Sequence, residues 1–157
     1  MQKKDFTKTT MQGGYSTTGE NRPTSNEDVH INKLKILIAE DDKNSKFVLN
    51  EFTIDLSKET LQVNTGLEAV ETCRQNPDID LVLMDIQLPV LDGYETTRLI
   101  REFNKDVVII AQTAFAMSSD REMALAAGCN DYVSKPFTQA FLIETIKKYF
   151  MPFHKNI

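Results

Sequence analysis

Short hydrophobic runs that each lead directly into charged residues are the feature that most constrains the fold of this chain. The runs and the charges that follow them are Ile36–Ala39 with Glu40, Asp41 and Asp42, Leu81–Met84 with Asp85, and Tyr132–Ser134 with Lys135. If the runs are parallel strands of one sheet, their charged ends emerge at the same edge. Acids and a lysine far apart in the sequence are then expected to meet in one site.

The whole pattern from residue 33 onward predicts an α/β fold. Short apolar runs predict five strands, Lys35–Ala39, Leu61–Val63, Leu81–Met84, Val107–Ala111 and Tyr132–Ser134. Amphipathic stretches with helical spacing lie between and after these strands. Five strands that alternate with five helices are typical of an open, doubly wound parallel sheet. In such a sheet the site lies beyond the carboxyl ends of the strands, which also places Thr113 on this edge.

Apolar residues at helical spacing predict which helix faces point to the sheet. The residues expected to face inward include Val48, Phe52 and Leu56, Leu67, Val70 and Cys73, and Phe141, Leu142, Ile146 and Tyr149. N-terminal caps are also expected, with Asp42, Thr65, Ser118 or Ser119, and Thr138 at the starts of four helices. Each helix is thus predicted to cover the sheet with a single apolar stripe.

Length and local composition divide the chain into one domain and two tails. Of the 157 residues, residues 1–32 are rich in Thr, Ser, Gly, Asn and Gln and have no hydrophobic periodicity. This segment is predicted to be a disordered tail or an interdomain linker. The predicted domain is 33–152, and residues 153–157 form a short C-terminal tail.

Charge and cysteine content exclude several classes of function. The net charge of -5 disfavours direct binding to nucleic acid. The two cysteines form no CxxC pair, and they indicate neither a disulfide framework nor a zinc site. No apolar run approaches the roughly 20 residues that span a membrane, and no secretory signal is present. We therefore expect a cytoplasmic protein whose segment makes no membrane contact.

The clustered acids predict a binding site for Mg²⁺. Neighbouring carboxylates repel one another, and hard oxygen ligands that leave room for water suit this cation. Asp41 and Asp85 are expected to bind directly, Glu40 through water, and a backbone carbonyl near Gln87 is expected to add a ligand. The alternative is that Glu40, Asp41 and Asp42 only cap the next helix, since acids favour a helix N-terminus. Asp42 itself is expected to serve as such a cap.

With a metal beside it, the carboxylate of Asp85 can act as a nucleophile toward a phosphoryl group. Lys135 is expected to neutralise phosphoryl oxygens, and the hydroxyl of Thr113 can hydrogen-bond another of them. A lysine in a turn is more often simply solvated, but Pro136 favours an extended geometry that aims Lys135 inward. The aromatic ring of Phe115 is a candidate shield for the acyl phosphate, with an inert exposed ring as the alternative.

Four segments of the chain resemble the receiver domain of two-component response regulators. They are ILIAEDD (36–42), LVLMDIQLPVLDGYE (81–95), IIAQTAFAM (109–117) and AGCNDYVSKPF (127–137). The resemblance covers about residues 35 to 150 and implies a flavodoxin-like, chemotaxis-regulator-like fold with strand order 2-1-3-4-5. It implies these roles: Asp85 as phospho-acceptor, Glu40 and Asp41 as metal-site acids, Lys135 as the site lysine, Thr113 and Tyr132 as switch residues, and Pro89 and Gly93 as shapers of the loop after Asp85.

The resemblance also implies partners. A receiver takes its phosphoryl group from a phosphohistidine on a histidine kinase or exchanges it with a histidine phosphotransfer protein. It is not a conventional enzyme as an isolated domain, but it catalyses its own phosphorylation and dephosphorylation with Mg²⁺. The face formed by the fourth helix, fifth strand and fifth helix is expected to support a weak dimer. The residues of these motifs resemble the C-terminal receiver of a hybrid sensor kinase more than a stand-alone regulator.

Three other functions fit the sequence less well than this one. A haloacid-dehalogenase-type phosphatase needs a second acid two residues after the nucleophile, where this chain has Gln87. A nucleotide- or flavin-binding module is disfavoured because the chain lacks GxGxxG and GxxxxGKS/T phosphate loops. A degenerate receiver used only for docking is disfavoured because every site residue is retained. The phosphoacceptor module is the favoured prediction.

Overall fold

A computed structural model describes residues 31–115 and 117–151 of the chain. The predicted tail 1–32 lies outside the described residues except for its last two positions. The predicted C-terminal tail 153–157 lies outside them as well, together with the last residue of the predicted domain. The proposed division of the chain at these boundaries therefore stays a prediction.

Strands and helices alternate along the described chain. The strands are β1 Leu34–Ala39, β2 Ser57–Val63, β3 Leu81–Asp85, β4 Val108–Thr113 and β5 Asp131–Ser134. The helices are α1 Lys43–Thr53, α2 Gly66–Gln75, α3 Gly93–Phe103, α4 Ser118–Ala127 and α5 Gln139–Phe150, and a short 3₁₀ helix, Ile54–Leu56, precedes β2. None of these described helices combines the length and the apolar character needed to cross a membrane.

The five strands form one parallel sheet in the order β2-β1-β3-β4-β5. The predicted doubly wound, flavodoxin-like fold and its strand order are confirmed. β2 is longer than predicted because it begins at Ser57, and β4 extends to Thr113. The register aligns Asp85 of β3 with Gln112 of β4, so these two residues are neighbours at the carboxyl edge of the sheet.

Buried side chains alternate between the two faces of the sheet because successive residues of a strand point in opposite directions. One face, which includes Leu37, Val82 and Ile109, packs against buried residues of α2, α3 and α4. The other face, which includes Ile38 and Leu83, packs against α1 and α5. This two-sided core explains why β1 and β3 are buried at every position.

The predicted helix faces were only partly right: some residues do not face inward, whereas Val70, Cys73, Leu142 and Ile146 are buried as predicted. Leu67 and Phe141, both expected to face inward, are 55% and 49% exposed, and Val48 of α1 is also exposed. In α1 the buried apolar residue is Leu49, and α2 buries the small residue Ala69 in addition to the predicted positions. Because small side chains let a helix backbone approach the sheet closely, the buried stripe does not follow the largest apolar residues.

Candidate functional site

The strand ends bring the predicted site residues together at the carboxyl edge of the sheet. Glu40 directly follows β1, Asp85 is the last residue of β3, Thr113 is the last residue of β4, and Lys135 directly follows β5. Backbone hydrogen bonds set this edge, since the Ile86 N–H donates to the Gln112 carbonyl and the Lys135 N–H donates to the Thr113 carbonyl. Residues up to 95 positions apart in the sequence therefore meet in space.

Three carboxylates form the acidic part of the site. Glu40, Asp41 and Asp85 each offer an oxygen, and these three oxygens lie within 4.8 Å of one another. Glu40 is only 1% exposed and Asp85 is also buried, whereas Asp41 is exposed. Three carboxylates this close repel one another, and their hard oxygen atoms form a donor set that fits Mg²⁺.

Lys135 provides the positive charge on the other side of the site. Its Nζ lies 2.9 Å from Oε2 of Glu40 and 3.5 Å from Oδ2 of Asp85. Burial disfavours the ammonium, but the hydrogen bond to Glu40 and the charge of Asp85 outweigh this and raise the pKa of Lys135 above its usual value. One ammonium thus faces two buried carboxylates.

Glu40 remains partly uncompensated despite this lysine. Burial raises its pKa, and the charge of Asp85 acts in the same direction. The hydrogen bonds from Lys135 and from the backbone N–H of Asp42 oppose this rise without cancelling it. The raised pKa of Glu40 therefore reflects first its burial and then the repulsion from the neighbouring carboxylate of Asp85.

Asp42 lies beside the acids but belongs to the helix start. Its Oδ1 accepts a hydrogen bond from the Ser45 N–H at 2.7 Å, which makes it the N-terminal cap of α1 as predicted. This bond lowers the pKa of Asp42. Its own backbone N–H donates to Oε1 of Glu40 at 3.0 Å, so the cap residue also fixes the buried acid.

The two oxygens of Asp85 have different environments. Oδ1 accepts a hydrogen bond from the Gln87 N–H at 2.9 Å, and Oδ2 is the oxygen that faces Lys135. The side chain of Gln87 is exposed, and the role of its carbonyl as a metal ligand stays a prediction. The hydrogen bond from the Gln87 backbone N–H orients the Asp85 carboxylate.

The loop after Asp85 is tightly constrained. The Leu91 N–H donates to the Pro89 carbonyl at 2.8 Å, and Val90 between them has a positive φ of 70°. This is a strained γ-turn that leaves Val90 exposed. A Cβ atom on Gly93 would lie 2.5 Å from the Asp85 carbonyl oxygen, so only glycine fits against this strand end.

The predicted switch residues Thr113 and Tyr132 both contact the backbone of Phe115. Oγ1 of Thr113 accepts from the Phe115 N–H at 3.2 Å, and the Tyr132 hydroxyl donates to the Phe115 carbonyl at 2.7 Å. Thr113 is buried, whereas the ring of Phe115 is exposed. The two side chains are thus linked through one peptide segment, a connection that the sequence did not indicate.

Sequence reasoning missed one further residue at this edge, Gln112. Its side chain is buried, and neither its amide nitrogen nor its amide oxygen has a hydrogen-bond partner among the described residues. The only indication in the sequence is one polar residue within the apolar run of β4. Gln112 is the neighbour of Asp85 in the adjacent strand.

A comparison with protein families identifies a match over most of the chain. The family described as the response regulator receiver domain matches residues 36–147. Among curated proteins, the polar-differentiation response regulator DivK of Brucella ovis is 37% identical over 116 residues, which cover 73% of this chain and 94% of DivK. DivK of Brucella abortus matches at the same level.

Solved structures agree with these sequence matches. The receiver domain of the sensor histidine kinase PA1611 from Pseudomonas aeruginosa, with a magnesium ion coordinated in its active-site cleft, is 38% identical with a TM-score of 0.68. The match covers 75% of this chain and 98% of that one. A co-crystal structure of the Saccharomyces cerevisiae histidine phosphotransfer protein Ypd1 and the receiver domain of Ssk1 matches at 32% identity, with coverage of 77% and 91% and a TM-score of 0.71.

Proposed function

This chain belongs to the family of response regulator receiver domains, and we propose that Asp85 is the residue on which it accepts a phosphoryl group. A receiver domain is the phosphoacceptor module of a two-component system. The observation that supports Asp85 is its carboxylate geometry. One oxygen is fixed by the Gln87 N–H, and the other faces Lys135 beside two further acids.

The acids Glu40, Asp41 and Asp85 are proposed to hold Mg²⁺, with the Gln87 carbonyl as a further ligand. The fit rests on the three clustered carboxylate oxygens, two of which belong to the buried residues Glu40 and Asp85. When bound, the cation supplies charge neutralisation for the phosphoryl oxygens. The PA1611 receiver, which is similar to this chain, has magnesium in its cleft.

Phosphoryl transfer is proposed to use the charges of the chain as follows. A carboxylate oxygen of Asp85 forms the new P–O bond while the P–N bond of the donor phosphohistidine breaks, and the electron pair of that bond returns to the imidazole. The Lys135 ammonium, already within 3.5 Å of Asp85, neutralises a phosphoryl oxygen. Its 2.9 Å bond to Glu40 supports this role, because it holds the ammonium beside the acids of the site.

The conformational switch is proposed to begin at Thr113. Once Asp85 is phosphorylated, the Thr113 side chain moves toward it and donates its O–H to a phosphoryl oxygen, and this movement weakens the bond that Oγ1 accepts from the Phe115 N–H. Tyr132 is attached to the same segment through the Phe115 carbonyl and responds with it. Phosphorylation adds about -1.5 to -2 charge, which supplies the energy for this rearrangement.

The proposed partner is a protein that presents a phosphohistidine, either a histidine kinase or a histidine phosphotransfer protein. A structure similar to this one pairs a receiver domain with the phosphotransfer protein Ypd1, which supports this class of partner. The hybrid-kinase context, the cytoplasmic location and the weak dimer stay predictions from the sequence. The phosphatase and nucleotide-binding alternatives are not favoured by the family match.

Intact mass spectrometry tests the proposal. We expect the protein to gain one phosphoryl group when it is incubated with Mg²⁺ and acetyl phosphate, and Asp85→Asn to gain none. Asp106→Asn, which removes an exposed acid outside the site, is the matched control and is expected to behave as the wild type. An adduct that persists in a folded Asp85→Asn protein, or no adduct on the wild type, would overturn the assignment.

A further inference from the structure

A cavity of about 320 Å³ lies between α1 and the loop that joins β5 to α5. Its residues are Asn44, Ser45, Val48, Leu49, Phe52, Gln112, Lys135, Pro136 and Phe137. None of the three acids of the phosphorylation site lines it, and Lys135 is the only residue that it shares with the charged cluster. We call this cavity the Gln112 pocket. Its volume lies at the small end of the range for small-molecule sites, roughly 300–1,000 Å³.

The walls of the Gln112 pocket are mainly apolar and aromatic. Phe52 and Phe137 meet edge to face with ring centroids 6.5 Å apart, and Leu49 is buried beside them. Val48 and Pro136 add further apolar surface at more exposed positions. A flat apolar body is the kind of molecule that such walls favour.

Gln112 is the polar exception in this pocket. It is 2% exposed, and both atoms of its amide lack a hydrogen-bond partner among the described residues. A buried primary amide without a partner costs free energy, so buried amides in proteins are nearly always paired. A ligand that offers one donor and one acceptor side by side would satisfy both atoms at once.

We propose that the Gln112 pocket binds a small, flat, uncharged molecule whose adjacent N–H and C=O groups pair with the amide of Gln112. Lactams and pyrimidine-like heterocycles belong to this chemical class. An uncharged ligand fits because the ammonium of Lys135, the charged group among the lining residues, is already bound to Glu40. A small molecule fits better than a docked protein segment because the cavity of about 320 Å³ is at the small end of the range for ligand sites.

Nuclear magnetic resonance of the ¹⁵N-labelled full chain tests this proposal with 2-quinolone as the probe. We expect a saturable shift of the Gln112 side-chain NH₂ resonances, which are assigned by their loss in Gln112→Met. N-methyl-2-quinolone has the same rings but no N–H, and we expect it to bind about tenfold more weakly because one buried hydrogen bond is lost.

Two protein variants make the test specific. Gln112→Met keeps a side chain of similar length without the amide, and it is expected to weaken 2-quinolone binding by about tenfold or more. Gln62→Met changes an exposed glutamine on the edge strand β2 and is expected to bind the probe as the wild type does. If Gln112→Met does not fold, the two quinolones are compared on the wild type alone.

The proposal is wrong if 2-quinolone gives no saturable shift at Gln112 up to its solubility limit. It is also wrong if the N-methyl compound binds the wild type equally well, because the amide pairing would then have no role. Neither result would bear on phosphorylation of Asp85, because the acids of that site do not line the pocket.

Discussion

The two ends of the sheet are built from the same residue types but differ in how deeply their acids are buried. At the amino end, Lys35 Nζ contacts Asn76 at 3.1 Å, Asp78 at 3.2 Å and Glu59 at 3.3 Å. At the carboxyl end, Lys135 contacts Glu40 and Asp85. In both places one buried or half-buried lysine faces two carboxylates, yet only the carboxyl end has the geometry of a reactive site.

The burial of the acids explains the difference. The side chains of Asp78 and Glu59 are 65% and 51% exposed, so water solvates the charge that Lys35 leaves over. Accordingly, the hydrogen bond from Lys35 lowers the pKa of Asp78. At the carboxyl end Glu40 and Asp85 are buried, so water solvates their charges poorly, and burial raises the pKa of Glu40. This difference in burial is the reason that we propose a cation site at the carboxyl end and not at the amino end.

The largest expected contrast between the two ends is in phosphorylation rate. Lys135→Met removes the ammonium that faces the transferred group, and we expect the rate with acetyl phosphate to fall about 100-fold. Lys35→Met removes the equivalent charge at the amino end and is expected to keep the wild-type rate while lowering the midpoint of thermal unfolding. Equal losses of rate in two folded variants would show that the ends do not differ in this way.

Binding of Mg²⁺ should separate the two ends by stability. At a free Mg²⁺ concentration 100 times the dissociation constant, the free energy of unfolding of the wild type should rise by about 2.7 kcal/mol. Asp41→Asn removes an acid of the carboxyl end and should abolish most of this gain, whereas Asp78→Asn should retain it. Urea unfolding with and without Mg²⁺ measures the gain, and a gain lost equally in both variants would contradict the assignment.

The residues at the carboxyl end were predicted well because the end of each strand can be recognised from a short segment of sequence. Each short apolar run showed where a strand ends, and the parallel sheet then placed Glu40, Asp85 and Lys135 at one edge. The amino end was missed for the opposite reason. Lys35 was counted within an apolar run, and nothing in the sequence indicates that its partner Asp78, 43 residues away, lies beside it.

Helix orientation was predicted less well for a geometric reason. Adjacent helix positions differ by about 100° in direction. Because Leu49 is buried and not the predicted Val48, the inward face of α1 is rotated by about this angle from the prediction. Ala69, a small residue without a strong hydrophobic signal, is fully buried, whereas Leu67 is exposed. How closely each helix approaches the sheet depends on such tertiary contacts, which a periodicity count does not include.

The pH dependence of stability should have opposite signs at the two ends. The pKa of Glu40 is raised in the folded state above its usual 4.5, so Glu40 stabilises the fold at low pH and loses this effect as the pH rises through its folded pKa. The pKa of Asp78 is lowered below its usual 3.8, so its stabilisation is present above that value and lost as the pH falls. The two acids therefore make the free energy of unfolding change with pH in opposite directions.

Two variants measure these slopes by urea unfolding between about pH 3 and pH 7. The stability of Glu40→Gln relative to the wild type should increase as the pH rises above 4.5, because the variant has no carboxylate to ionise. The stability of Asp78→Asn relative to the wild type should increase as the pH falls below 3.8. Slopes of the same sign for both variants would contradict the proposed difference in burial.

The smallest expected effect concerns Gln112, a buried residue at the carboxyl end, and it compares unpaired polar atoms at the two ends of the sheet. The described residues have no unpaired buried side-chain polar atoms at the amino end, whereas the amide of Gln112 is unpaired next to Asp85. Gln112→Met should therefore raise the free energy of unfolding by about 1 kcal/mol, because it removes an uncompensated amide while filling the same space. Gln62→Met on the exposed edge strand should change it little. A loss of stability in Gln112→Met would contradict this prediction, because it would mean that the amide has hydrogen-bond partners in solution. The carboxyl end would then differ from the amino end in the burial of its acids but not in having an unpaired polar group.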